Sequence, residues 1–90
     1  MSGNPTESIA RLLQAGFAHQ QRGDLGQARA AYAQVLAVDA KNFDALQLSG
    51  LCALQAGENE RARELLDRAL ALRQDVASVF NHRGVALRRL

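Results

Sequence analysis

The side chains with most scope for chemistry are one cysteine, Cys52, two histidines, His19 and His82, and three arginines near the C-terminal end, Arg83, Arg88 and Arg89. A thiolate beside an imidazole would serve nucleophilic catalysis, and imidazoles three or four residues apart on a helix would hold a metal. The spacing supports neither. His19 and His82 are far apart in the chain and neither has a second ligand at i+3 or i+4. Cys52 falls in an apolar stretch in a core-facing phase, where a buried, inert thiol is expected. A lone cysteine also excludes an internal disulfide and a multi-thiolate zinc site. No glycines gather into a loop that could cradle phosphate, and the arginines read as a solvated face rather than a site for an acidic partner. His19 is expected to be a partly buried, satisfied imidazole. The segment by itself is thus expected to be no enzyme, with no catalytic, cofactor-binding or metal-binding residues.

Those residues are carried by a repeat. Gly16, Gly50 and Gly84 recur at an offset of 34 residues, and so do Leu12, Leu46 and Phe80. Under the same shift Gly23 falls on Gly57, Ala28 on Ala62, Leu36 on Leu70 and Val38 on Leu72. Hydrophobic residues make up 48% of the chain but aromatics only 4%, and Ala and Leu dominate, which favours closely packed helices. A period of this length, helical throughout, is best met by two antiparallel helices per repeat.

Local signals divide the chain into five helices. Asn4, Pro5 and Glu7 offer a cap, a first-turn proline and a capping-box acid for a helix running to about Arg22, stopped by a left-handed Gly23. Asp24, assisted by Gln27, should cap a second helix over about Leu25 to Val38. Asn42 should cap a third, over about Phe43 to Ala56, which Gly57 stops. The fourth spans about Glu60 to Arg73, with Glu64–Arg68 and Arg63–Asp67 as i,i+4 pairs on its solvated face. The fifth starts near Val76 and still runs at Leu90. The resulting units are a tail and helix start over 1–8, repeats over 9–42 and 43–76, and the first helix of a third repeat over 77–90.

The chain resembles the tetratricopeptide repeat family. Leu12 with Gly16, Gly23-Asp24, Ala28, Tyr32 and Leu36 match one repeat; Leu46 with Gly50, Gly57-Glu58, Ala62, Leu66, Ala69 and Leu70 match the next; Phe80 and Gly84 open a third. The resemblance implies an all-α, right-handed α-solenoid of antiparallel helix pairs, a TPR-like superhelix of about two and a half repeats. Small residues at Gly16, Gly50, Gly84, Ala28 and Ala62 would let paired helices approach, while Leu12, Leu46, Phe80, Tyr32, Leu66, Leu36 and Leu70 fill the space between helices. The family often has Pro where Ala40 and Gln74 stand. Where it often has a core Leu before the Gly, this chain has Ala15, Ser49 and Arg83, and Arg83 would be awkward inside a continuing stack.

The resemblance also implies a concave face lined by the first helix of each pair. By phase its residues are Leu13, Gln14, Phe17 and Gln20; then Gln47, Leu48, Leu51 and Leu54; then Asn81, His82, Val85 and Arg88. Phe17, Leu48, Leu51 and Leu54 make an apolar strip suited to an amphipathic helix or short extended segment of a protein partner, or to a neighbouring helix. The family's clamp for acidic chaperone tails, built of Lys, Asn, Asn, Lys and Arg, would fall at Leu13, Phe17, Leu48, Ser78 and His82, and is absent. The expected function is a protein-interaction module. The alternatives are an N-terminal arm of a larger bacterial glycosyltransferase, sulfotransferase or methyltransferase, or self-assembly through an unpaired terminal helix exposing Val79, Phe80 and Leu87. The missing polar capping helix suggests a chain continuing past Leu90.

Charge and hydropathy narrow the partners further. Lys+Arg 11 against Asp+Glu 9, a net charge of +2, is not the basic footprint of a nucleic-acid binder. No apolar run approaches the roughly 20 residues of a membrane span, and Met1 to Ser8 has no secretory pattern. A soluble, reducing, cytoplasmic setting is the expectation.

Overall fold

The computed structural model describes residues 5–90. These form α1 (Pro5–Gln21), α2 (Leu25–Val38), α3 (Phe43–Gln55), α4 (Asn59–Leu72) and α5 (Ala77–Arg89), with no strand among the described residues. Helix α1 packs on α2, α3 on α4, and each second helix on the first helix that follows it. The principal extents of 47 × 27 × 18 Å show the elongation that stacking pair upon pair produces. The architecture is an all-α solenoid.

The stops and starts follow from backbone chemistry. Gly23 and Gly57 have φ of +84° and +79°, the left-handed region that ends a helix cheaply only at glycine. After α1, the Asp24 and Gly23 amides donate to the carbonyls of His19 and Gln20. After α3, Glu58 and Gly57 do the same to Ala53 and Leu54, so orphan carbonyls at both helix ends are satisfied in one pattern. Asn42 Oδ1 accepts from the Ala45 amide at 2.9 Å, the expected cap of α3. Asp24 makes no side-chain cap bond; its carboxylate lies instead 3.8 Å from His19 Nδ1. The expected Asn4 cap lies outside the described residues.

Two core clusters hold the stack. Ala28, Tyr32 and Cys52 are buried between α2 and α3, with Leu13, Leu25 and Leu48 against them. Leu46, Ala53, Leu54, Ala62, Leu65, Leu66, Ala69, Leu70, Val79 and Ala86 form the larger cluster of α3, α4 and α5. The close approaches occur at two of the three repeat glycines. A Cβ at Gly16 would stand 2.5 Å from Tyr32 Cε1, and one at Gly50 2.7 Å from Leu66 Cδ2. At Gly84 the nearest atom would be an Arg88 guanidinium nitrogen at 3.7 Å, because no second helix lies there among the described residues. Phe80, expected in the core, is 47% exposed for the same reason.

Candidate functional site

The first helices touch one another, α1 with α3 and α3 with α5, whereas α2 and α4 do not approach each other. The stack therefore bends toward α1, α3 and α5, and those helices line the inside of the curve. On that side Phe17 is 45% exposed, and Leu13, Leu48, Leu51 and Val85 are half-buried. Gln14, Asn81 and Arg88 are exposed. Gln47 and His82 are half-buried, and Gln47 Oε1 and His82 Nδ1 are enclosed without a hydrogen-bond partner.

Two residues assigned to the groove by phase are not on its surface. Gln20 is 5% exposed: its Oε1 accepts from the Tyr32 hydroxyl at 2.7 Å and its Nε2 donates to Gln55 Oε1 at 3.0 Å. Leu54, its counterpart one repeat on, is 7% exposed and belongs to the larger core. Both occupy the seam where one first helix meets the next. A phenol and an amide in that seam must pair with each other, since burying either unpaired would cost ~1–3 kcal/mol.

The titratable groups have structural surroundings. Cys52 is 1% exposed, and burial raises its thiol pKa against the partial opposing effect of Arg29. Burial pushes the Tyr32 phenol from 10.0 up to about 12, with neighbouring Cys52 adding to the rise. His19 is half-buried as expected but not satisfied: its Nδ1 has no hydrogen bond, and Asp24 stands at 3.8 Å. Among the described residues no three of His, Cys, Asp and Glu converge in a way that could hold a metal, and no helix is long and apolar enough to cross a membrane.

Ion pairs fasten the repeats. Arg29 on α2 pairs with Glu58 ahead of α4, and Arg83, the residue that looked awkward in a stack, pairs with Asp67 on α4. Asp67 is shared with Arg63, which also reaches Glu60 at 3.0 Å. The expected Glu64–Arg68 pair does not form; Arg68 turns to the Ala40 carbonyl at 3.4 Å. Arg89 donates to the Leu54 carbonyl at 3.1 Å and lies 3.4 Å from Asn59 Oδ1. The sequence offers Asp67 as a partner for Arg63 alone and Glu58 only as part of a turn; their pairing with Arg83 and Arg29, and that of Gln55 with Gln20, depend on the packed stack, which brings residues distant in the chain opposite one another.

At the far end Phe80, Leu87 and Leu90 are 47%, 44% and 60% exposed. Val79 was expected to share that uncovered face. It is instead fully buried, turned toward α4 inside the larger core.

Residues 12–81 match the family model described as a tetratricopeptide repeat. The chain is 40% identical over 70 residues to cellulose synthase operon protein C of Komagataeibacter xylinus, a stretch that is 78% of this chain and 5% of that protein. Its fold matches a mutant O-GlcNAc transferase of Thermobaculum terrenum with a TM-score of 0.90 at 32% identity, covering 97% of this chain and 17% of the other. It also matches the C-terminal TPR-containing domain of an FK506-binding protein from Plasmodium falciparum, with a TM-score of 0.88 at 22% identity over 94% and 56% of the two chains. The chain thus spans a small fraction of the first two proteins.

Proposed function

Because the chain belongs to the tetratricopeptide repeat family, we propose that it is a protein-interaction module that receives an amphipathic helix or short extended segment of a partner on the inner face of α1, α3 and α5. One observation supports this reading: of the apolar residues that helical phase assigns to this face, Phe17 is 45% exposed and Leu13, Leu48, Leu51 and Val85 are only half-buried. Apolar area of that kind, rimmed by Gln14 and Asn81, gains by docking a complementary apolar face. The segment takes part in no catalysis of its own; its one thiol is buried and its histidines stand apart.

The test is selection of peptides against the whole chain, followed by titration of the winners against Leu51→Glu and Phe17→Ala. The expected result is peptides with apolar residues at i, i+3 or i+4, bound at least about tenfold more weakly by Leu51→Glu, whose charge would be buried against an apolar partner. Helicity by circular dichroism should be unchanged. Peptides bound equally by both variants would place the interaction elsewhere.

A second reading is favoured by the company the chain keeps. An O-GlcNAc transferase and a cellulose synthase operon protein contain similar stretches within much longer chains, so this array is also suited to be an arm of a larger protein acting on saccharides. The two readings are compatible, the arm being the part that engages a partner. The reading frame on either side of these 90 residues decides the second: an adjoining transferase domain supports it, and its absence removes it.

A further inference from the structure

Away from the inner face, the turn after α2, the start of α3 and the last turns of α4 form an open cleft of about 300 Å³ lined by Ala40, Lys41, Leu46, Arg68, Ala71 and Leu72. None of these is a groove residue. The floor is aliphatic, with Leu46 only 1% exposed and Leu72 40% exposed. The two polar side chains at the rim are both cations. Arg68 spends one guanidinium nitrogen on a long contact to the Ala40 carbonyl, and the Lys41 ammonium has no carboxylate within 4.0 Å among the described residues.

We propose that this cleft binds a small aliphatic carboxylate, its tail against Leu46, Ala71 and Leu72 and its anionic head between Lys41 and Arg68. A concave apolar wall with a few convergent charged groups is the general form of a small-molecule site, and this volume is at the small end of the usual range. Arg presents paired N–H donors that match a carboxylate. Nothing in the repeat itself requires these cations: 34 residues earlier, the positions of Lys41 and Arg68 are held by Glu7 and Gln34. A free acid suits the cleft better than a peptide, because the aliphatic lining offers a main chain little to pair with.

The experiment is a two-dimensional NMR titration of the whole chain with 4-methylpentanoate, its neutral amide, acetate and N-acetyl-leucine. The expected result is saturable shifts of the Lys41, Leu46, Ala71 and Leu72 amides with 4-methylpentanoate, and weaker binding of acetate and the neutral amide. Arg68→Gln and Lys41→Gln should each weaken the acid about fivefold, the effect of one partly exposed charge pair. The two exposed positions give independent variants should one fail to fold. Equal binding of the amide would reduce the cleft to apolar contact, and equal binding of acetate would reduce it to loose ion pairing. Tighter binding of N-acetyl-leucine would transfer the site to a peptide terminus. Any of these, or the absence of saturable shifts at the cleft, overturns the proposal.

Discussion

Gly50 and Gly84 hold the same place in successive repeats, but one lies under a neighbour's side chain and the other under almost nothing. At Gly50 the Leu66 side chain occupies the space a Cβ would need; at Gly84 only the end of the helix's own Arg88 comes near. The same contrast separates Leu46, 1% exposed, from Phe80, 47% exposed, although both are the large residue four positions before the glycine. A repeat letter therefore does not set a residue's energetic weight. The helix packed against it does, as expected when each unit buries its faces only against the units beside it.

Substitution at matched positions would break or sharpen that contrast. The largest effect is expected from Leu66→Ala, which removes a fully buried side chain from the seat over Gly50 and should cost about 2–5 kcal/mol, against under about 1 kcal/mol for Phe80→Ala. Thermal unfolding followed by circular dichroism reads both, and equal losses would erase the distinction. Next comes overpacking: Gly50→Leu should cost about 1–3 kcal/mol or more, since its Cβ alone would stand 2.7 Å from Cγ and Cδ2 of the fully buried Leu66. Gly84→Ala should do the reverse, raising stability by up to about 1 kcal/mol through helix propensity alone. A destabilised Gly84→Ala would mean that something covers α5 in solution.

A smaller effect distinguishes the first pair, with Tyr32 over Gly16, from the aliphatic second. Below pH 10 the phenol is neutral in folded and unfolded chains alike. Above it the unfolded chain releases the proton first, because burial holds the folded pKa at about 12, so stability should fall between those values. The chain has one tyrosine and no tryptophan, so phenolate absorbance reports this group directly. Tyr32→Phe should flatten the alkaline loss and give up about 1 kcal/mol at neutral pH with the Gln20 bond. Part of the slope belongs to the Cys52 thiol, also raised by burial, and Cys52→Ala separates the two.

Most of the fold was legible because its signals are local or periodic. The glycine register gave the repeat, Gly23 and Gly57 marked two helix ends, and helix limits fall within a residue or two of those expected. The inner face was legible only in part. Phase alone put Gln20 and Leu54 beside Leu13 and Leu51, yet the contact of α1 with α3 and of α3 with α5 encloses them. How wide an arc of a helix is covered depends on how many neighbours it has, and that number is not written in the helix's own residues. A hint for Gln20 was present: Tyr32 stands where the second repeat has Leu66, and a phenol taken into a core needs a polar companion. Arg83 likewise found Asp67 on the preceding helix, a pairing visible only once the two helices are set side by side.

Cys52 gives the seam between α2 and α3 a built-in clock. Its thiol is the only one in the chain, sits with Tyr32 and Ala28, and is 1% exposed. An alkylating reagent can reach it only when the two repeats part, and the raised thiol pKa makes the sulfur sluggish until they do. The labelling rate thus counts partings of the first repeat from the second. A partner bridging Phe17 on α1 and Leu51 on α3 would tie the two repeats together and slow the count.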